Sequence, residues 1–469
     1  MHYIKFAIML LVIILAKSSF ITYAQEGTAV TTQSEVILYG DDRPARKPPG
    51  LRAKLYDDYN EVMNLLSLDP PEQEKALIIL NDRDFEDKRR INAFEKAVFY
   101  NLIASIYQSQ EKYDEALSYY KMVLDLEPLA IRDNIDIPYD LLDGANFLMG
   151  QLYFIKGEYQ KSHLYLNNWL VQQETPTARN LIFIANAYYY AAIDEEIEKI
   201  QADNFIRTSI SLINRAIKIN ESAAKEDWFV FLRTLHSNLN EDQIVFDITE
   251  TLLTRWPKKQ YWVELSGLYA LEAGKDELSE SEIDELGKLQ LVALETAHRQ
   301  GMLTTGRELE TISQLFLYHE IPYKSSKTLE KALREGISQP TYKNFDLLSI
   351  AYLQGKDMEK AIDPLSKAAK LSDDGELFMR LANVYLQLDK YQEAASSIDA
   401  GIEKGGIDRP DLARFLQGQA YMALENFEQA RAAFRLAAKD ERTSKNATTW
   451  LNYIDREEQR IKDIREYLN

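Results

Sequence analysis

Ala97 to Pro128 reads AVFYNLIASIYQSQEKYDEALSYYKMVLDLEP, and the spacing of its small and aromatic residues decides the fold. With Ala97 as position 1, Tyr100, Ile103, Ala104 and Tyr107 fall at positions 4, 7, 8 and 11, one face of a helix. Tyr113, Ala116, Tyr120 and Val123 follow at positions 17, 20, 24 and 27, the facing stripe of a second helix. Alanines at 8 and 20 let the two backbones come close. Rings at 11, 17 and 24 fill the groove beside them, and Pro128 at position 32 is expected to end the second helix.

This pattern resembles the tetratricopeptide repeat (TPR), and it recurs. Asp143 to Pro176 carries Gly150, Tyr153, Gly157 and Tyr159; Tyr342 to Gly375 carries Leu348, Ser349, Tyr352, Ala361 and Ala368. Gly375 to Asp408 carries Leu381, Ala382, Tyr385, Tyr391 and Ala394; Asp411 to Ser444 carries Gly418, Tyr421, Phe427, Ala430 and Phe434. Weaker units open at Ala178, Trp228, Trp262 and Arg307, and a degenerate first pair spans 51–90. Self-similarity at a period near 34 residues is the mark of a helical repeat array. The expected fold is therefore all-α: a right-handed α-solenoid of about ten helix pairs over 51–444, closed by a C-terminal capping helix over 445–469. Insertions of about 12 residues, near 192–205 and 272–287, are rich in carboxylates and read as loops between the helices of a pair.

Composition narrows the function. Acidic residues outnumber basic ones by 74 to 55 over 469 residues, a formal charge of −19. That excess works against sequence-independent binding to nucleic acid, which needs cations to displace counterions from phosphates. There is no cysteine, hence no disulfide, thiolate metal site or cysteine nucleophile. The chain begins MHYIKFAIMLLVIILAKSSFITYAQEG: Lys5, an apolar run from Phe6 to Ala16, and small residues at Thr22 and Ala24 before Gln25. This is the layout of a cleaved signal peptide over 1–24, which implies export and no integral span afterwards. Residues 25–50 end in Arg-Pro-Ala-Arg-Lys-Pro-Pro-Gly, whose prolines forbid a helix; they read as an extended, proline-rich leader, a tether or a partner peptide.

Signature positions are core, so binding must fall to residues the packing leaves free. In such an array the first helix of each pair lines an inner groove, with positions 2, 5, 9 and 12 facing it. Position 9 reads Ser105, Gln151, Asn186, Arg233, Gly267, Gln314, Ile350, Asn383 and Gln419. Amides offer both donors and acceptors to an extended peptide main chain. Position 12 adds Phe154, Tyr189, Leu353, Leu386 and Met422 for apolar side chains. The expected partner-binding set is Ser105, Gln151, Asn186, Tyr189, Arg233, Gln314, Asn383 and Gln419. Binding on the convex face, at an edge or at the insertions stays open.

Catalysis finds no foothold. His163, His236, His298 and His319 stand in different repeats, and His2 leaves with the signal. No GxSxG, GxxxxGK[ST] or HExxH appears. The expectation is a non-enzyme without cofactor or metal.

The second half carries more than generic repeats. The segments KKQYWVELSGLY (258–269), LETAHRQGML (294–303), IPYKSSKTLEKALREGI (321–337), AIDPLSKAAKLSDDGELFMRLANVYLQL (361–388) and the stretch from Gly418 to Ile454 resemble periplasmic tetratricopeptide proteins that accompany TonB–ExbB–ExbD systems. The resemblance runs from about Pro48 to the C-terminus, with the two insertions and the absent cysteine as departures. It implies the periplasm of a Gram-negative bacterium and an accessory role beside the motor that energises uptake of iron–siderophore complexes, with TonB, ExbB or ExbD components as protein partners. The other client class is the enzymes of outer-membrane or cell-wall assembly.

Overall fold

The computed structural model describes residues 43–82 and 91–468. The expected signal peptide and the leader up to residue 42 lie outside the described residues, as does 83–90 within the first expected pair. The described chain folds into 22 α-helices, and among the described residues there is no strand. It divides into two compact units, one reaching Ile248 and one starting at Thr249, and each is treated by itself.

In the first unit, α1 (Ala53–Leu66) pairs with α2 (Gln73–Asn81), and α3 (Ala93–Ser109) with α4 (Tyr113–Asp125). A short α5 (Glu127–Arg132) precedes the pair α6 (Tyr139–Ile155) and α7 (Tyr159–Leu170). Then come α8 (Ala178–Ala192) with α9 (Lys199–Ile219), and α10 (Glu226–Asn238) with α11 (Asp242–Arg255), whose last residues belong to the second unit. That unit continues with α12 (Lys259–Ala273) and α13 (Glu280–Arg299), then α14 (Gly306–Tyr318) and α15 (Pro322–Arg334). The pairs α16 (Tyr342–Gln354) with α17 (Met358–Leu371), α18 (Glu376–Gln387) with α19 (Tyr391–Lys404) and α20 (Pro410–Ala423) with α21 (Phe427–Ala437) follow, and α22 (Glu441–Leu468) ends the chain. In chain order the described helices alternate as ten first and second helices, the number the repeat spacing predicts, and nine of these pairs pack helix on helix within a unit.

The small residues at positions 8 and 20 are buried where the two helices of a pair meet. Ala104, Gly150, Ala185, Ser266, Ser313, Ser349, Ala382 and Gly418 at position 8 are buried, as are Ala116, Ser162, Ser209, Ala361 and Ala430 on the facing helices. Where serine replaces alanine its hydroxyl needs a partner. Ser162 Oγ donates to the Gly150 carbonyl at 2.8 Å and Ser209 Oγ to the Ala185 carbonyl at 2.9 Å, each bond crossing from second helix to first.

One turn repeats between paired helices. Glu111, Gly157, Asn240, Glu320, Lys356, Asp389 and Glu425 each take positive φ, and all but Gly157 do so with a side chain. The next residue's amide reaches back to close the helix: Lys112 to Tyr107, Glu158 to Tyr153, Asp357 to Tyr352, Lys390 to Tyr385 and Asn426 to Tyr421, each at 2.9 Å. This is a Schellman closure; it satisfies a carbonyl that the helix end would otherwise orphan and fixes the angle of the second helix.

Three expectations are corrected. Pro128 does not end α4, which stops at Asp125; it sits in the first turn of α5, where its missing N–H costs nothing. The insertions are mostly helix. Only 193–198 and 274–279 remain as connections, and the added residues lengthen α9 to 21 residues and α13 to 20. Ser279 and Glu282 form a reciprocal capping box that starts α13 early. The cap helix begins at Glu441, ahead of 445. The described end of the leader carries no helix: residues 43–52 lie on the first unit through Arg43, Arg46, Lys47 and Arg52.

Candidate interaction surface

The residues expected to bind a partner divide between the units. In the first unit Gln151 lies on α6 between Phe147 and Phe154, and the spacing i, i+4, i+7 puts all three on one side of the helix. Asn186 lies on α8 between Phe183 and Tyr190 by the same reasoning. Ring contacts join the two faces: Phe147 to Phe183 at 6.2 Å between centroids, Phe154 to Phe183 at 5.2 Å, and Phe154 to Tyr190 at 5.6 Å. Trp169 closes one end at 4.7 Å from Phe147. At the other, Tyr159 stacks on Tyr190 at 5.0 Å, and Tyr190 meets Tyr189, which meets Phe231 of α10 at 5.4 Å. Phe147, Phe154, Phe183, Tyr189 and Phe231 are all half-buried, and Tyr190 is 37% exposed. A half-buried aromatic series with amides at two points along it offers both apolar area and main-chain hydrogen bonding.

The amides are set differently. The Gln151 side chain makes no hydrogen bond among the described residues, whereas the Asn186 side-chain nitrogen donates to the Ile182 carbonyl of its own helix at 2.8 Å. Tyr189 belongs to the aromatic series. Arg233 is two residues on from Phe231 and so projects from a different side of α10. Ser105 is exposed on α3 and donates to the Leu102 carbonyl of its own helix, apart from the series. In the second unit Gln314 and Asn383 are exposed and Gln419 is half-buried, and among the described residues none of their three side chains makes a hydrogen bond. Nothing gathers them into one patch. Repeat position thus picks out Gln151, Asn186, Tyr189 and Phe154, and its position 5 also covers Phe147, which the expected set does not name; it passes over Phe183 and Tyr190. The signal for those two is the Tyr188-Tyr189-Tyr190 run and a ring seven residues before Tyr190, which repeat positions alone do not weight.

Titratable groups in the core serve packing. His163 lies between Tyr188 and Phe205, with ring centroids 5.0 and 4.6 Å away. Burial alone pulls its pKa down to about 4, and its Nδ1 has no hydrogen-bond partner. Glu95, fully buried, accepts from the Arg52 backbone N at 3.2 Å, from Arg52 Nε at 2.8 Å and Nη2 at 2.5 Å, and from the Asn92 backbone N at 3.0 Å. Burial pushes its carboxyl pKa up, but the Arg52 fork and the backbone donors outweigh that and leave it below its usual value. Among the described residues no group of three His, Asp or Glu side chains is placed to hold a metal, and no helix is long and apolar enough to cross a membrane.

Comparison with known proteins fits the repeat spacing. Two family models described as tetratricopeptide repeat match residues 100–130 and 379–447. No curated protein matches. Among solved structures, MamA from Desulfovibrio magneticus RS-1 is 20% identical, covering 35% of this chain and 90% of that one, with a TM-score of 0.28. A tetratricopeptide repeat protein from Parabacteroides merdae is 13% identical over 59% of this chain and 98% of that one, with a TM-score of 0.27. YrrB, described as a TPR protein with an unusual peptide-binding site, is 16% identical over 50% of this chain and 96% of that one, with a TM-score of 0.26.

Proposed function

We propose that this all-α TPR protein is a periplasmic scaffold that holds an extended segment of a protein partner, and that its partner belongs to a TonB–ExbB–ExbD energy-transduction system. The observation that carries the binding role is the shared face of α6 and α8, where half-buried rings flank Gln151 and Asn186. An extended peptide laid there exchanges main-chain hydrogen bonds with the amides and seats side chains against Phe154 and Tyr190. Export is supported by the signal-like opening of the sequence and by a thiol-free chain, which cannot mispair in an oxidising compartment. The TonB-linked role is supported by the resemblance of the segments between Lys258 and Ile454.

In vivo cross-linking of the tagged protein is expected to capture TonB, ExbB or ExbD homologues from the periplasmic side. The double replacement of Gln151 and Asn186 by Ala is expected to weaken that capture at least tenfold with helicity unchanged, whereas replacing Asn383 and Gln419 leaves it intact. Normal siderophore uptake in a deletion strain, with capture of other proteins only, rejects the TonB role. Unaltered capture by the Gln151 and Asn186 variant rejects the α6–α8 face. Retention of the chain in the cytosol rejects the location.

A further inference from the structure

Residues 43–52 put four cationic side chains, Arg43, Arg46, Lys47 and Arg52, into an otherwise acidic chain, and their extended backbone follows the surface of the first unit. Two of them meet at a single ring. The guanidinium carbons of Arg43 and Arg46 stand 3.9 and 3.8 Å from the centroid of Tyr139. Two cations at that height cannot share one face, so the ring is held between them. Each guanidinium also finds an acceptor. Arg43 forks onto both carboxylate oxygens of Asp143 at 3.0 and 2.8 Å. Arg46 donates to Glu127 Oε1 at 2.7 Å and to the Ile137 carbonyl at 2.8 Å. The Lys47 backbone N–H donates to Asp136 at 2.8 Å. Glu127, Asp136, Tyr139 and Asp143 come from α5, the α5–α6 connection and the first turns of α6.

We propose that these four residues form a binding site for an extended Arg-x-x-Arg segment, which the chain's own leader occupies and thereby masks. The chemistry selects arginine over lysine: a planar fork matches a carboxylate bidentately while its face stacks on a ring, and an ammonium does neither. The site also resists standing vacant. The Asp143 side chain is only 11% exposed, and a buried carboxylate stripped of its partner is costly, so a departing leader favours a replacement guanidinium. The leader is held at a high effective concentration by its covalent link to Arg52, which Glu95 anchors, so a segment in trans enters only when the leader's grip weakens. This site adjoins the α6–α8 face without sharing a residue with it: along α6, Phe147 lies one turn beyond Asp143, about 6 Å, and Gln151 about 12 Å beyond it at 1.5 Å per residue.

Two measurements on the full chain test the proposal. The Arg46–Lys47 bond is the trypsin-sensitive one in this stretch, since proline follows both Arg43 and Lys47. At low salt it is expected to be cut at least tenfold more slowly than in a free peptide of residues 41–52. The variants Tyr139→Ala and Asp143→Asn are expected to lose that protection, with circular dichroism unchanged. In the second measurement the fluorescein-labelled 41–52 peptide is titrated into the Arg43→Ala/Arg46→Ala variant and followed by anisotropy. Binding is expected at least tenfold tighter than to the unaltered chain, with a peptide carrying Lys at both arginine positions binding at least tenfold more weakly. Cleavage of Arg46–Lys47 at the free-peptide rate overturns the proposal. So does a labelled peptide that fails to bind the double variant, or that binds both chains or both peptides equally.

Discussion

Adding one methyl group at Gly418 is expected to loosen the last repeats, and the structure gives the size of the effect. A Cβ there would lie 2.7 Å from Phe434 Cε1 and 2.8 Å from Cδ1 and Cζ, where ordinary contact begins at 3.4 Å. The ring must therefore retreat by about 0.7 Å. It has nowhere to go: Phe434 is fully buried, stacks on Trp450 at 5.6 Å with planes 6° apart, and meets Phe415 edge-on at 5.6 Å. Overpacking of this kind costs about 1–3 kcal/mol, and the better helix propensity of alanine returns about 1 kcal/mol. The net expectation for Gly418→Ala is a loss of up to about 2 kcal/mol, with Gly418→Leu, which puts more bulk against the same ring, worse. Gly267, in the middle of α12, supplies the control, because a Cβ added there would meet nothing within 4 Å. There the same substitution is expected to gain about 0.5–1 kcal/mol from propensity alone. Stability in a repeat array is local, so amide hydrogen exchange resolved by peptide is the assay. Gly418→Ala should speed exchange in α20 and α21 by up to about 30-fold and Gly418→Leu by more, and Gly267→Ala should slow it in α12. Exchange in α20 and α21 that is slower in Gly418→Ala, or unchanged in Gly418→Leu, refutes the claim that position 8 is a steric contact.

Three further outcomes follow from buried polar groups. Ser325 stands at position 20 of its repeat, fully buried, with an Oγ that lacks a partner; Ser325→Ala is expected to stabilise α14–α15 by about 1 kcal/mol, read by the same exchange experiment. His163, neutral in the fold down to a pKa of about 4 but with an ordinary value of 6.5 when unfolded, stabilises the fold fully above pH 6.5 and loses that contribution as pH falls toward 4. The loss is at most about 3 kcal/mol, and His163→Phe should flatten the urea midpoint of the first unit between pH 6.5 and 4, while an unchanged pH slope would rule the histidine out as its source. Glu95→Ala removes a capping box and the Arg52 fork together, and is expected to cost about 2–3 kcal/mol in α3; a loss under about 0.5 kcal/mol would show that the carboxylate does not hold the leader's end.

The aromatic face and the leader site differ in how far the sequence exposes them. Gln151, Asn186 and Tyr189 were legible because helical periodicity fixes which side of a helix a position occupies once the repeat is in register. Their assembly with Phe147, Phe183 and Tyr190 was not, because contact between α6 and α8 depends on how one pair stacks on the next. Arg233 and Ser105 show the limit. They hold the same repeat position as Gln151, yet Ser105 lies on α3, outside the ring series, and Arg233 projects away from the side of α10 that carries Phe231. The insertions went astray for a local reason. Their carboxylates suggested loops, but acidic residues in a first turn also favour a helix N-terminus, as Glu280 and Glu282 do behind Ser279.

Alone, the order of residues determined the helix pairs, their number and the small residues buried between them, because side chains 3–4 positions apart share a helix face whatever the rest of the chain does. It also determined the acidic charge and the absence of thiols. Tertiary structure decided which free polar groups meet an aromatic neighbour, where the added residues went, and that Arg43 rests on Asp143, 100 residues away. Such pairings depend on stacked backbones bringing distant positions within hydrogen-bond reach, and no periodicity along the chain encodes that distance.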